Sequence, residues 1–417
     1  MKRKITALAL LVCIMWSTCA FAGCRKEKDE RLHTNPVDNG TWCYGNYIYF
    51  DNDGAALPVS ATSCKLARYN IKTGRVSAAC TDSQCEHTRE DGCPFADFSS
   101  LEHIENGKIY YYTVSLENDS YLMVYDIERE SASIVMNCSE MECGGDFMFC
   151  EGKLYFIRSL PKEGAQADSP EDYTRTLCQW RSGNGEYDIL FEIPVTYRMV
   201  GAYPEMTEFL FVANTRCYFL DGETGNIYHT DMTGADRQWI TDFEIPFMLA
   251  SGSRYENTVY FYGGDGTDVY EYSFPSFDGS EQITQEFSRA SLYALNLEDN
   301  TFVKVIDNMA AYTIADGKIY YTSWGYRFYG YDEVEGPVRN FNQSEFYRAD
   351  LDGSNVEVVL SDFYLLGDHF AASGDTLFGI FRTYSQAGRS KYRYAVINAR
   401  NGKIEYLDTP EDDPRYE

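Results

Sequence analysis

Side chains able to bind a metal or to crosslink are concentrated in one stretch, Cys80-x4-Cys85-Glu86-His87-x5-Cys93-Pro94-Phe95. Three thiols and an imidazole are a set that zinc accepts tetrahedrally. A related run, Cys138-x4-Cys143-x6-Cys150, follows without a histidine. Zinc sites usually show closer paired spacings than these, and thiols of exported chains are commonly oxidised. Disulfides are therefore expected among Cys80, Cys85, Cys93, Cys138, Cys143 and Cys150, metal-free, with zinc on Cys80, Cys85, His87 and Cys93 as the alternative. Cys43 with Cys64, and Cys178 with Cys217, are further candidate pairs. Setting aside Cys13, Cys19 and Cys24 near the amino terminus leaves ten cysteines, an even number that fits pairing.

A second concentration of chemistry is the stretch 322–345, TSWGYRFYGYDEVEGPVRNFNQSE. It places Trp324, Tyr326, Phe328, Tyr329, Tyr331 and Phe341 beside Arg327 and Arg339. Large aromatic faces with hydrogen-bonding neighbours suit sugar rings or peptide side chains. The competing reading is a surface plug folded on its own aromatics. No nucleophile elbow, His-Glu-x-x-His helix, phosphate-binding glycine loop or complete calcium loop is present, so no catalytic residue and no cofactor is assigned. Asp and Glu number 64, which leaves a carboxylate-based glycan-degrading enzyme as the alternative to a non-catalytic binding module. Two histidines, His103 and His369, fall where innermost strands would line a central channel.

These groups are strung on a repeat. A turn followed by a strand recurs seven times, as in Tyr44-Gly-Asn-Tyr-Ile-Tyr-Phe50, Asn106-Gly-Lys-Ile-Tyr-Tyr111 and Asp316-Gly-Lys-Ile-Tyr-Tyr321. Each copy is followed by a second hairpin, with tips beginning at Lys72, Glu128, Ser182, Thr233, Glu298, Asp352 and Arg400, spaced 56, 54, 51, 65, 54 and 48 residues apart. Glycine after Asn or Asp suits a two-residue hairpin, and the alternating apolar residues suit a strand. With a short run before each first turn, every unit predicts four antiparallel strands. One such sheet cannot bury both faces alone, so the expected fold is all-β: a seven-bladed β-propeller over 39–408, with blades near 39–80, 99–138, 144–193, 207–243, 246–308, 309–362 and 363–408. The 16 % aromatic content agrees with strand-rich structure.

In a four-stranded antiparallel blade, the second-to-third connection and the connection to the next blade emerge on one face. The long stretches 51–63, 158–173, 263–290, 322–345 and 382–390 all fall at second-to-third connections, so length variation is expected on a single face. Long loops on a rigid scaffold are where function tends to sit.

The first residues read as an export signal over 1–23: Lys2, Arg3 and Lys4, then an uncharged run from Ile5 to Gly23. Two cleavage sites compete: Ala20-Phe21-Ala22 fits the small-x-small rule of ordinary signal peptidase, while Ala22-Gly23-Cys24 resembles the lipobox of bacterial lipoproteins, with Phe21 where Leu is usual, and the charged stretch that follows favours lipid on Cys24. The charged stretch over 24–38 then reads as a tether, and 409–417 as an acidic tail. A membrane anchor through lipid on Cys24, on the extracytoplasmic face, follows from this reading. Losing Lys2, Arg3 and Lys4 with the signal takes the formal charge from −28 to −31, which excludes nucleic acid as a partner class. A monomer with a glycan or peptide ligand is expected.

The unit Ile314-Ala-Asp-Gly-Lys-Ile-Tyr-Tyr-Thr322 with Phe346-Tyr-Arg-Ala-Asp-Leu-Asp-Gly-Ser-Asn355 resembles the repeat of bacterial propeller lipoproteins of unknown function, which are related to the low-density-lipoprotein-receptor propeller. The resemblance spans the seven units in outline and is closest over 101–138 and 310–362. It implies a cell-surface propeller; the run Cys80 to Cys93 is similar to a cysteine-rich segment recurring in that group. The receptor propeller has six blades and a Tyr-Trp-Thr-Asp signature, neither of which this sequence repeats, so its ligand residues do not carry over.

Overall fold

The fold was derived from a computed structural model. It describes residues 41–51, 64–82, 84–115, 117–141, 143–164, 170–181, 186–200, 203–241, 250–264, 270–275, 282–287, 290–315, 317–323, 326–332, 336–341, 344–363, 366–373, 375–384, 390–398 and 400–407. The export signal, the tether with Cys24, Trp324 and the tail lie outside these residues.

Seven four-stranded antiparallel sheets form the seven blades of a β-propeller, in which each blade takes its strands in chain order from inside to outside. Blade one is Thr41–Tyr44, Tyr47–Asp51, Leu66–Asn70 and Arg75–Ala78. Blades two to seven begin with the innermost strands Phe98–Glu105, Cys143–Cys150, Glu208–Ala213, Ala250–Tyr255, Met309–Ala315 and Leu366–Ser373. Among the described residues, helix is limited to one turn, Cys138–Met141, and a 3₁₀ turn, Pro170–Asp172. No described helix is long and apolar enough to cross a membrane.

The turn chemistry works as the sequence implies. Asn106 and Gly107 have φ of 49° and 76°, the doubly positive pair of a type I′ turn, and Glu105 pairs with Lys108 across it. Second strands are packed from both sides by neighbouring blades, so they read as nearly unbroken apolar runs: Ile48, Tyr49 and Phe50 are all buried. Outermost strands face solvent, and Ile134, Val303 and Val358 on three of them are exposed.

The core is a ring of contacts between blades. One cluster joins blades one and two through Tyr49, Phe95 and Tyr111; another joins two and three through Leu122, Met136 and Phe156. Blades three, four and five share a cluster around Phe211 and Phe219, and five and six meet through Tyr260, Tyr312 and Ile319. The innermost strands of six and seven are neighbours. Blades seven and one close the ring through Phe378, Tyr394, Phe50 and Tyr69. Among the described residues, each of these two blades takes its strands from one end of the chain alone and no shared strand fastens the ring.

The sequence expectation needs three adjustments in its connections. An extra hairpin, Tyr197–Val200 with Tyr203–Met206, sits between blades three and four, where only a linker was expected. Two long second-to-third connections fold into hairpins of their own: Tyr270–Pro275 with Gln282–Phe287 in blade five, and Tyr326–Asp332 with Gly336–Phe341 in blade six. The stretches 158–173 and 382–390 are less loop than the sequence suggests, because strand pairing continues out to Pro161 with Tyr173 and Tyr384 with Ser390. Strands end where backbone pairing ends, and polar residues such as Arg158 and Arg382 pair as readily as apolar ones.

Candidate functional site

The inter-blade connections and the second-to-third connections do share a face, and two sets of contacts demonstrate it. Asp221, after the second strand of blade four, accepts hydrogen bonds from Thr196 Oγ1 at 2.8 Å, in the connector from blade three, and from Thr224. Cys64, which precedes the third strand of blade one, packs in one cluster with Cys80 and Cys93 of the connector to blade two. Lys65 Nζ beside it donates to Phe98 O at 3.2 Å.

The described residues of that connector, 79–82 and 84–97, form turns with no strand or helix, yet it is compact. Phe95 is its apolar anchor, fully buried and in contact with Tyr111 and Tyr125 at ring separations of 5.2 and 5.0 Å. Tyr111 donates to Pro94 O at 2.7 Å. The polar side of the loop folds around Asp91, whose Oδ2 accepts from the Glu86 amide at 3.1 Å and from Thr88 Oγ1 at 2.8 Å. Arg89 pairs with Asp97, and Cys93 N donates to Thr88 O at 3.3 Å.

Inside this frame the ligand atoms of Cys80, Cys85, His87 and Cys93 lie within 4.8 Å of one another. Cys93 Sγ is 3.6 Å from His87 Nδ1, and the His87 amide donates to Cys85 Sγ at 3.3 Å. His87 holds the left-handed conformation, with φ of 62°. That turn of the backbone aims its amide at one sulfur while its ring reaches another. Cys80 and Cys93 are buried, and Cys85 and His87 half-buried. The Cys93 thiol is pushed up, first because it donates to the Cys64 sulfur and second by burial; burial also pushes Cys80 up. Sequence reasoning named these four residues but paired Cys64 with Cys43. The structure sets Cys64 beside Cys93, while Cys43 packs with the cluster joining blades one and seven.

The second cysteine run divides. Cys138 and Cys143 flank the helical turn and are buried together with Cys178. Cys150 lies instead with Cys217 in the cluster of blades three to five, and burial pushes both thiols up to about 12. Cys178 and Cys217, a candidate pair from the sequence, thus occupy different clusters.

In the aromatic insert of blade six, the register sets Tyr326 opposite Phe341, Arg327 opposite Asn340, Phe328 opposite Arg339 and Tyr331 opposite Pro337, with an irregularity between Phe328 and Gly330 where Tyr329 falls. His103 is buried between blades, its ring stacked on Phe149 at 4.5 Å. Its Nε2 is 3.7 Å from a Glu105 carboxylate oxygen, and this contact first among several holds Glu105 below the ordinary carboxylate range. His369 falls on the innermost strand of blade seven.

Two polar features escaped sequence reasoning. His229, 2 % exposed on the third strand of blade four, lies against Tyr218, with burial and then the Arg216 charge lowering its pKa. Its alternation with Tyr228 in Ile227–Asp231 was the available signal. Arg237 sits in the corner formed by the edge-on pair Tyr228 and Trp239, its Cζ 3.9 and 4.1 Å from the two ring centroids, and reaches Asp221 at 3.1 Å. With its charge paired and its guanidinium against both rings, Arg237 fastens the blade.

No protein-family model matches the chain, and no curated protein matches its sequence. Solved structures do match. The chain is similar to one from a study of two prolyl endopeptidases, at 10 % identity and TM-score 0.50, over 91 % of this chain and 50 % of that one. It is similar to the β-propeller domain of the Trilobed protease from Pyrococcus furiosus, at 11 % identity and TM-score 0.49, over 92 % and 97 % of the two chains. It also matches oligogalacturonate lyase from Vibrio parahaemolyticus, at 13 % identity and TM-score 0.43, over 93 % of each chain. The chain spans about half the length of the peptidases it matches, 54 % for puromycin hydrolase. What these matches share with the chain is the propeller fold.

Proposed function

We propose that this chain is an exported lipoprotein, held to the extracytoplasmic face of the membrane through lipid on Cys24, whose loop face binds a glycan or peptide without catalysis. The observation that carries this reading is the confinement of elaboration to one face. The blade-five and blade-six hairpins, the hairpin between blades three and four, and both cysteine-bearing connectors belong to connections that emerge together. A rigid ring that varies on one side is the arrangement of a recognition surface. The reading places the chain among the bacterial propeller lipoproteins that its repeat resembles.

Two measurements test it. Mass spectrometry of the native protein is expected to find an acylated amino terminus at Cys24; a mature terminus at Gly23 with no acyl mass overturns the anchor. A soluble fragment starting near Leu32, screened against cell-wall, host and dietary glycans and peptides, is expected to retain a ligand unchanged, whereas turnover identifies a glycan-degrading enzyme. On the retained ligand, Trp324→Ala is expected to weaken binding by about 2 kcal/mol, roughly thirtyfold, since large aromatics dominate such interfaces. Thermal stability is expected to change little. A variant that melts much earlier with affinity intact makes the insert a packing plug.

A further inference from the structure

We infer that Cys80, Cys85, His87 and Cys93 form a tetrahedral Cys3His zinc site that folds the connector between blades one and two. With Zn–S near 2.3 Å and Zn–N near 2.05 Å, the edges of a zinc tetrahedron are about 3.8 Å between sulfurs and about 3.6 Å between sulfur and nitrogen. The Cys93 Sγ to His87 Nδ1 separation is 3.6 Å, and all four ligand atoms fall within 4.8 Å of one another. An ion at their centre therefore needs only small side-chain adjustments.

A left-handed backbone at a residue other than glycine costs about 1–2 kcal/mol, so something must hold His87 at φ 62°. In that conformation the His87 amide donates to Cys85 Sγ, the kind of outer contact that orients and stabilises a thiolate ligand. The imidazole of the same residue lies 3.6 Å from the Cys93 sulfur through Nδ1. A disulfide among these cysteines uses two sulfurs and gives no reason for an imidazole nitrogen to converge on the same point. Zinc uses all four groups.

The described residues of the connector form no strand or helix, and beyond Phe95 and its cysteines the segment is largely polar. A segment of that composition gains little from apolar burial, and a bound ion supplies the missing folding energy. Four protein ligands close the coordination sphere, so the site is structural and leaves no position for a substrate. Its effect is to fix the loop carrying Glu86, Arg89 and Asp91 on the same face as the hairpin inserts.

The test uses the full chain purified from membranes in detergent, with zinc measured by elemental analysis and the metal exchanged for cobalt. One zinc per chain is expected, and the cobalt form is expected to show a thiolate-to-metal charge-transfer band with the intense visible bands of tetrahedral coordination. His87→Ala and Cys85→Ser are expected to lose that metal, while Cys138→Ser, outside the cluster, keeps it. Removing zinc with a chelator is expected to expose the connector to protease at Arg89, with the blades still folded. A native chain without zinc, in which peptide mapping finds Cys64–Cys93 and Cys80–Cys85 disulfides, overturns the proposal. Full zinc retention by His87→Ala overturns the Cys3His assignment. Both outcomes leave ligand binding by the blade-six insert to be judged separately.

Discussion

Phe50→Ala is expected to destabilise the propeller by about 3–5 kcal/mol, the cost of removing a fully buried aromatic ring from a packed core. Phe50 is fully buried, and its ring centroid lies 4.6 Å from that of Phe378 and 4.9 Å from that of Tyr394. Tyr69 completes the contact, 5.7 Å from Phe378. The position matters because, among the described residues, blades one and seven share no strand, so side-chain packing holds the ring shut where a swapped strand would otherwise supply backbone hydrogen bonds. Apart from this packing, the closure includes the Tyr394 hydroxyl donating to Asp51 O at 3.3 Å. Urea unfolding followed by far-ultraviolet dichroism measures the loss, with Ile134→Ala as the control. Ile134 is 60 % exposed on an outer strand, and a substitution there is expected to stay within about 0.5 kcal/mol. In hydrogen exchange, amides of blades one and seven are expected to lose protection before those of blades three to five. A Phe50→Ala loss no larger than that of the control would mean that the ring is closed by something other than this cluster.

The propeller was legible in the sequence because its determinants are local. A hairpin turn with glycine, such as Asn106-Gly107, fixes its own backbone, and the apolar run behind it is decided by the two blades that bury it. Seven copies of that signal determine the number of blades. The cysteine motif was legible for the same reason, since its four residues fall within one short connector. What escaped depends on contacts distant in the chain. Cys64 meets Cys93 because two connections emerge on one face, a relation that spacing does not express. The hairpin Tyr197–Met206 carries no Asn-Gly or Asp-Gly signal at its turn, and its base is held by Thr207 N donating to Thr196 O at 2.9 Å. Its fastening through Asp221 requires blade four to be already in place. The aromatic insert of blade six stood out by composition, and its hairpin register separates residues that composition had grouped: Arg339 faces Phe328 across the pair, while Tyr329 falls at the irregularity.

Gly353→Ala is expected to cost about 2–4 kcal/mol, because two penalties coincide. Gly353 lies in the outer hairpin of blade six with φ of 79°, its amide donating to Asp350 O at 2.9 Å. An alanine there first pays for the left-handed conformation. Its Cβ would also stand 2.0 Å from Val305 O and 2.9 Å from Val305 C, backbone atoms of the outer strand Phe302–Ile306 in blade five. Val305 is the bulged residue of its strand, held between the paired residues Lys304 and Ile306, so its backbone cannot rotate away as a side chain can, and the two blades must separate at that point or the hairpin must be rebuilt. Gly152 supplies the comparison. It has nearly the same backbone, φ of 73°, in the first turn of blade three, but nothing within 4 Å of an added Cβ. Gly152→Ala should therefore show the conformational penalty alone, about 1 kcal/mol. The difference between the two variants, read from their unfolding midpoints, isolates the contact between blades five and six. Equal losses would mean that the hairpin tip does not rest on Val305.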